Sequence, residues 1–417
     1  MMSSLSCFDL GEHMLSVDEA RQALLTLVDG QLATESVALA QAHGRVLAKP
    51  VTAPFNVPGH TNSAMDGIAL SWPEEGVAGS LRRVGSALAG RPFAGRVGSG
   101  ECVSITTGAP LPAGTDTVIM VEQLQQHGDV VDILQADRVK RGQNVRQAGE
   151  DLRRGEVALE SGRRLEAAAL GLLASLGCAF VEVRRQPRVA VFSTGDEVTA
   201  PGQPRADAAI YDANRFTLMG MLQEHGAEVL DLGIVPDDPQ ALEGALAQAG
   251  QLADLVVSSG GVSVGQADHT RAALERLGRL TLWRIAMRPG RPMACGVMGD
   301  GATPFMGLPG NPVACMVTCL VFVIPLVRKL QGRELRSPAW QAVADSDFRS
   351  REGRTDYSRG VLKRSDDGTL RVVNTGSQGS GILSSMVAAE CLVEIPADKA
   401  AVAINDMVTV FPLFRFP

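Results

Sequence analysis

The stretch RVAVFSTGDE at residues 188–197 decides the fold: a short apolar run of strand type breaks off into a polar glycine turn. Reading outward, DANRFTLMGMLQEHG (212–226) has helical spacing, with Asp212 as its cap and Gly226 past its end. EVLDLGIV (228–235) is the next strand, and DPQALEGALAQAG (238–250) the next helix, capped by Asp238. DLVVSSGGVSVG (254–265) is a strand running into a glycine loop, followed by a helix over 270–277. TPFMGLPGNP (303–312) leads into an apolar helix that ends near Leu330. Strands alternating with helices of this length predict a doubly wound parallel sheet. The apolar run carries Pro325 and falls short of the ~20 residues that span a bilayer, so it reads as a buried helix. Cys315 and Cys319, one turn apart on it, read as core packing rather than a metal site.

The flanks have a different rhythm. Ser16-Val-Asp-Glu19 is a capping-box pattern opening a helix with Val17, Ala20, Leu24, Leu27 and Val28 on one face, stopped at Gly30. A second helix is expected from Thr34 to His43, ended by Gly44. The segment RVLAKPVTAPFNVPG (45–59) is extended and proline-punctuated. From about 54 to 150, Gly and Pro recur every few residues between short apolar runs, an all-β signature. EAAALGLLASLG (166–177) is a helix ended by Gly177, and the chain is β again from about 337. The predicted architecture is a doubly wound α/β domain with an inserted β-rich N-terminal lobe and a C-terminal β-barrel-like domain. Its expected parts are 1–52 with 152–183, 53–151, 184–333 and 334–417.

The 417 residues are 45% hydrophobic and 20% charged, a globular profile, and the formal net charge of −7 argues against a general phosphate-backbone binder. The N-terminus has neither the positive n-region nor the apolar h-region of a signal peptide. Seven cysteines without a C-x-x-C pair predict reduced thiols and a cytoplasmic protein.

No Walker P-loop is present, and Gly260 to Gly265 lacks dinucleotide-binding spacing. Yet loops at the carboxyl ends of parallel strands form the binding crevice of such sheets. Four loops are expected there: Ser193 to Glu197, Pro236 to Pro239, Gly260 to Asp268 and Leu308 to Pro312. They gather Asp196, Glu197, Asp237, Asp238 and Asp268 beside small residues, a composition that suits a hard cation such as Mg²⁺ bridging to phosphate. The Arg284, Arg288, Arg291 cluster in WRIAMRPGRP offers forked donors for a tetrahedral oxyanion, with Arg288 and Arg291 expected on a loop. Asp66, Arg146 and Asp151 taken alone read as turn residues. His60 and His269 have no spaced partner and are assigned to no metal.

Together PFNVPGHTNSAMDGIA, SITTGAP, RQAGEDL, VFSTGDEV, IYDANR, SSGGVSVGQADHT, MRPGRP, GLPGNPV and GSQGSGILSS resemble, in order, the molybdopterin molybdenumtransferase family, to which the gephyrin C-terminal domain is related. The resemblance implies an Mg²⁺-dependent reaction of adenylyl-molybdopterin with molybdate that gives molybdenum cofactor and AMP. It also implies an elongated homodimer whose sites are shared between subunits. By motif it points to Asp66, Thr107, Asp151, Glu197, Asp237 and Asp268 as catalytic, with the metal on Glu197, Asp237 and Asp268. Arg288, Arg291, Arg359 and Ser380 fall on the molybdate- and phosphate-binding positions. The molybdopterin loops fall on Gly195, Ser259, Gly260, Gly261, Ser263, Gly265, Pro309, Gly310 and Asn311. The chain departs from the family pattern with Arg288 and Arg291 where Lys is frequent, Ile68 for Tyr, Gln266 for an acid and Ala314 for Ser. An adenylyltransferase would need only the α/β domain. A non-catalytic scaffold would call for a long linker or second module, and none is visible.

Overall fold

The computed structural model describes residues 14–28, 30–74, 79–260, 273, 276–299, 302–335 and 338–413. They divide into two compact units, one comprising Met1–Ser36, Gly44–Ala48 and Glu182–Pro417, the other Val37–His43 and Lys49–Val181.

The first unit opens with strand β1 (Met14–Leu15) and helix α1 (Val17–Leu25). The capping box forms as its sequence requires: Glu19 N–H donates to Ser16 Oγ at 3.2 Å, and Ser16 N–H donates back to Glu19 Oε2 at 2.8 Å. Val17, Ala20 and Leu24 enter the core of the α/β sheet, so α1 belongs to that body. The helix expected over 34–43 does not form. Thr34–Ala38 is a strand and Leu39–Gln41 a single 3₁₀ turn, because β-branched Thr34 and Val37 favour extended backbone.

The second unit holds a six-stranded sheet built from β2 (Gly67–Leu70), β3 (Ser80–Ala87), β4 (Glu101–Ile105), β5 (Thr117–Met120), β6 (Leu124–His127) and β7 (Val130–Ile133). Their order is β6-β7-β3-β4-β2-β5. The period of two along a strand sends Ile68, Leu70, Cys102 and Ile119 to one core, and Ala69, Val103, Ile105 and Val118 to another. Both faces of this sheet are therefore buried. Helix α2 (Ala167–Ser175) follows, ended by Gly177 as expected.

In the first unit β8 (Arg188–Thr194), α3 (Asn214–Glu224), β9 (Glu228–Val235), α4 (Pro239–Leu252) and β10 (Leu255–Ser259) follow the predicted alternation. Next come β11 (Gly278–Ile285), β12 (Met287–Arg288), β13 (Pro292–Met298) and β14 (Thr303–Leu308). The seven-stranded sheet runs β1-β11-β13-β14-β10-β8-β9. Val189, Val191 and Val257 face the layer of α1 and α3, while Ala190, Phe192 and Val256 face α4, so the sheet is covered on both sides. It is mixed rather than all parallel: β13 runs antiparallel to β11 and to β14. The connections before and after β13 are too short for a crossover, and only hairpins fit.

Helix α5 spans Pro312–Leu330 and is 83% buried over its apolar window, a core helix. A π turn at Cys319–Val323 precedes Pro325, whose ring and missing N–H disturb the ladder there. Cys315 and Cys319 lie in the core, where burial pushes the Cys315 thiol up to about 12. Five strands, β15 (Trp340–Ala344), β16 (Thr355–Arg364), β17 (Leu370–Asn374), β18 (Cys391–Ile395) and β19 (Met407–Pro412), close a barrel in the order β16-β17-β15-β19-β18. Strand β12 adds to its edge in parallel with β16, pairing Met287 with Thr355 and Arg288 with Asp356.

Candidate active site

The candidate site residues fall into three groups. The first lies at the carboxyl edge of the α/β sheet, where register aligns Ser193 with Ser259, Thr194 with Val235, and Ser259 with Leu308. The loops after β8, β9, β10 and β14 therefore share one edge, as expected. Gly260 has φ +88°, and a Cβ there would stand 2.7 Å from the Thr194 carbonyl oxygen, so only glycine lets the two loops approach. At Gly195 a Cβ would meet the Glu197 carboxylate at 2.7 Å, so this glycine makes room for the acid to fold back over the turn. Asp238 caps α4 by accepting from Ala241 N–H at 2.9 Å. Among the described residues its neighbour Asp237 keeps Oδ1 buried without a hydrogen-bond partner, as do the hydroxyls of Thr194 and Ser258. Gly261, Ser263, Gly265 and Asp268 lie outside the described residues.

Behind this edge sits a buried network that the sequence reading missed. Asp212 accepts from Ser193 Oγ at 2.9 Å and from Arg215 Nε at 2.8 Å, and Arg215 Nη1 reaches Asp231 Oδ1 at 2.6 Å. Asp212 also accepts Arg215 N–H at 3.2 Å, so it serves the first turn of α3 from one residue ahead of the Ala213 cap position while bracing β8. Asn214 Nδ2 donates to Ser259 Oγ and to the Gly310 carbonyl, each at 2.7 Å. An ionic cluster at the start of a helix, two residues past a short strand, was the available signal in IYDANR.

The second group lies where the α/β sheet meets the barrel. Arg288 stands on β12 rather than on a loop, because its backbone joins the β16 ladder. Further along β16, Arg359 is 1% exposed. Its guanidinium donates to Ser385 Oγ at 3.1 Å and to the carbonyls of Gly379 at 3.0 Å and Ser377 at 3.4 Å. Gln378 locks the same loop by accepting from Arg359 N–H at 2.8 Å and donating to the Arg359 carbonyl at 3.1 Å. The Ser380 carbonyl accepts Val313 N–H at 3.0 Å, which docks this loop beside Pro309, Gly310 and Asn311. Burial, and then the charge of Arg288, hold the Arg359 pKa below its ordinary value. Two guanidinium groups that repel each other favour an anion between them. Arg291 is placed otherwise: its Nη2 lies 3.9 Å from Met14 Sδ.

The third group is in the β-rich lobe. Antiparallel pairing of Gly67 with Ile105 brings the start of β2 to the end of β4. Asp66 Oδ1 thus accepts from Thr107 N–H at 2.6 Å and from Thr107 Oγ1 at 2.9 Å. These two bonds, the backbone one first, hold the Asp66 carboxyl below the usual aspartate range. Elsewhere in the lobe a cleft of about 450 Å³ is lined by Val57, Pro58, Asn62, Arg146, Glu150 and Asp151. Arg146 pairs in register with Asn62, whose Oδ1 is buried and has no partner among the described residues. Arg146 and Asp151 both line this cleft.

Three matches to family models cover the chain. They are the MoeA N-terminal region (domain I and II) over 15–177, the probable molybdopterin binding domain over 190–329, and the MoeA C-terminal region (domain IV) over 341–413. The crevice, the arginine junction and the lobe therefore define a molybdopterin-binding α/β protein framed by MoeA-type regions. A molybdopterin molybdenumtransferase from Haemophilus influenzae is 40% identical over 96% of this chain and 98% of its own. Another, from a Nostoc species, is 35% identical over 96% and 94%. The molybdopterin biosynthesis moeA protein of Pyrococcus horikoshii has a solved structure that superposes with a TM-score of 0.81 at 27% identity, covering 96% of this chain and 100% of that one. The chain belongs to the molybdopterin molybdenumtransferase family.

Proposed function

We infer that the chain is a transferase that inserts molybdenum into molybdopterin, the reaction its relatives are named for. The observation that carries the reading is the pairing of Arg288 with the barrel strand that buries Arg359, beside the Pro309 to Asn311 loop. It supports a cationic oxyanion site next to the crevice of the probable molybdopterin binding domain.

In the proposed reaction the molybdopterin substrate is adenylylated. The two dithiolene thiols displace two oxygens of molybdate, which leave as two waters carrying the two thiol protons and two protons from solvent. Attack of one water on the phosphate anhydride releases AMP and leaves the terminal phosphate on molybdopterin. The protein holds two anions in register with preorganised donors, which is most of what such chemistry needs. Arg288, Arg359 and Ser380 orient molybdate, with Arg291 assigned to the anion by motif alone since its guanidinium lies against Met14, while Ser259, Gly260 and Gly310 with their neighbours receive the pterin. Asp66 and Thr107, with Asp151, act from the lobe.

For Mg²⁺, Glu197, Asp237 and Asp268 are the proposed ligands. The orphaned, buried Asp237 Oδ1 fits a hard cation. Among the described residues no three metal-ligating side chains converge, and Asp268 lies outside them, so the donor set rests on Asp237 and the family pattern. A bound ion would neutralise charge on the anhydride phosphates. A homodimer with shared sites and a cytoplasmic location complete the proposal. The six described cysteines, all free, are consistent with a reducing compartment.

Purified protein given adenylyl-molybdopterin and molybdate should release AMP with Mg²⁺, stop with a chelator, and sediment as a dimer. Turnover in metal-free buffer would remove the metal assignment, a monomer the shared site, and no AMP the adenylylated substrate. Arg288→Ala should raise the molybdate requirement about ten- to hundred-fold, from loss of a charge-assisted hydrogen bond worth roughly 1.5–3 kcal/mol. Excess molybdate should partly restore the rate. An unaltered molybdate dependence in both Arg288→Ala and Arg291→Ala would place the anion elsewhere.

A further inference from the structure

We propose that Asn214 is a positioning residue that sets the width of the molybdopterin crevice. The proposal rests on the reading that molybdopterin binds at the carboxyl edge of the α/β sheet.

Asn214 is the first residue of α3, where it makes no capping bond: the cap position is Ala213, with no side-chain hydrogen bond. Asn is also a poor helix former, since its amide competes with the backbone. Local structure therefore gives no reason for it. The side chain is instead spent across the crevice wall, with Nδ2 donating to Ser259 Oγ and to the Gly310 carbonyl, both at 2.7 Å. A carbonyl oxygen can only accept, so the amide orientation is fixed by chemistry. One nitrogen thus ties the stem of the glycine loop after β10 to the Pro309-Gly310-Asn311 loop after β14.

The base from which Asn214 reaches is itself immobilised. Asp212 is 4% exposed and Arg215 6% exposed. Their ion pair, extended to Asp231 and to Ser193, anchors the segment to β8 and β9. A truncated network of this kind is costly, because each buried charge left behind lacks a partner. Asn214 is the member whose removal leaves no charge behind, and the two loops it joins are those expected to touch the pterin. Loss of its donors frees the loops without unpairing the anchor. Asn214→Asp is the sharper replacement, because it sets an acceptor against the Gly310 carbonyl.

The test uses the full chain and metal-free molybdopterin, titrated by pterin fluorescence, with thermal unfolding measured in parallel. Asn214→Ala and Asn214→Asp should bind molybdopterin roughly ten-fold more weakly, the worth of two neutral hydrogen bonds. Their melting midpoints should fall by no more than a few degrees, leaving both variants folded at the assay temperature, and in turnover KM for the pterin substrate should rise with kcat little changed. Wild-type affinity, or an affinity loss that only follows loss of the folded state, overturns the proposal. Should Asn214→Ala not fold, Ser259→Ala removes one of the two bonds and should give roughly a three-fold loss; an unchanged affinity there overturns the proposal equally. Gly310→Phe separates the two readings, since no described atom lies within 4 Å of a Cβ at Gly310 and its fold is checked by the same thermal unfolding. If it blocks binding while the Asn214 variants bind normally, only the positioning role falls. If it too binds normally, the crevice is not the pterin site and both fall.

Discussion

Asp66→Asn is expected to lower turnover about a hundred-fold or more, the scale of a lost charged catalytic group, with no measurable change in thermal stability at neutral pH. The asparagine Oδ1 can still accept both Thr107 donors, so the turn survives. What disappears is the negative charge, and with it the second oxygen: both Thr107 bonds go to Oδ1, and no described residue donates to Oδ2. Because the Thr107 bonds depress the folded-state pKa, their preference for the ionised form stabilises the lobe above the ordinary aspartate range near 3.8. That contribution is lost as pH falls through the depressed value. Any stability difference between wild type and Asp66→Asn should therefore shrink in strong acid. Wild-type turnover by the variant would reduce Asp66 to a turn residue.

Gly67→Ala is expected to destabilise the β-rich lobe by more than about 3 kcal/mol, in the class of outright backbone collisions. A Cβ at Gly67 would fall 1.8 Å from the Ile119 carbonyl oxygen, and neither partner is free to give. Gly67, the first residue of β2, sits opposite Met120 on the edge strand β5 and Ile105 on β4, with the ladder on both sides. Hydrogen exchange across β2, β4 and β5 should accelerate, and turnover should fall because Asp66 immediately precedes the displaced strand. Native-like protection in the variant would show that the sheet accepts the side chain.

Local signals found the α/β alternation, the Ser16 to Glu19 cap, the Asp238 cap and the shared loop edge, because each follows from periodicity or short-range hydrogen bonding. Most of the failures have one cause, pairing between distant segments; the exception is Thr34–Ala38, where β-branched residues favour a strand. Nothing near Arg288 announces that its backbone will join a barrel strand beginning at Thr355, so it reads as a loop. The run from Thr34 to His43 has helix-like composition, yet part of it is held as a strand. The hairpin placement of β13 makes the sheet mixed, a fact visible only in the brevity of the links beside it. In the site, Asp66 and Thr107 could be nominated by motif, but their hydrogen bonds required the register of β2 on β4. Asn214 gave no signal at all as a lone polar residue.

The ladder between β12 and β16 also fixes when the oxyanion site can exist. A chain made from its N-terminus completes the α/β strands first, and domains tend to fold as they emerge. At that stage Arg288 has no strand beside it, because Thr355 and Asp356 have yet to be synthesised. Strand β16 is in turn held by β18, whose last residue is Ile395, and β18 by β19, which ends at Pro412. The arginine junction therefore waits for the C-terminal barrel. A nascent chain would have its α/β sheet before it has the proposed molybdate site.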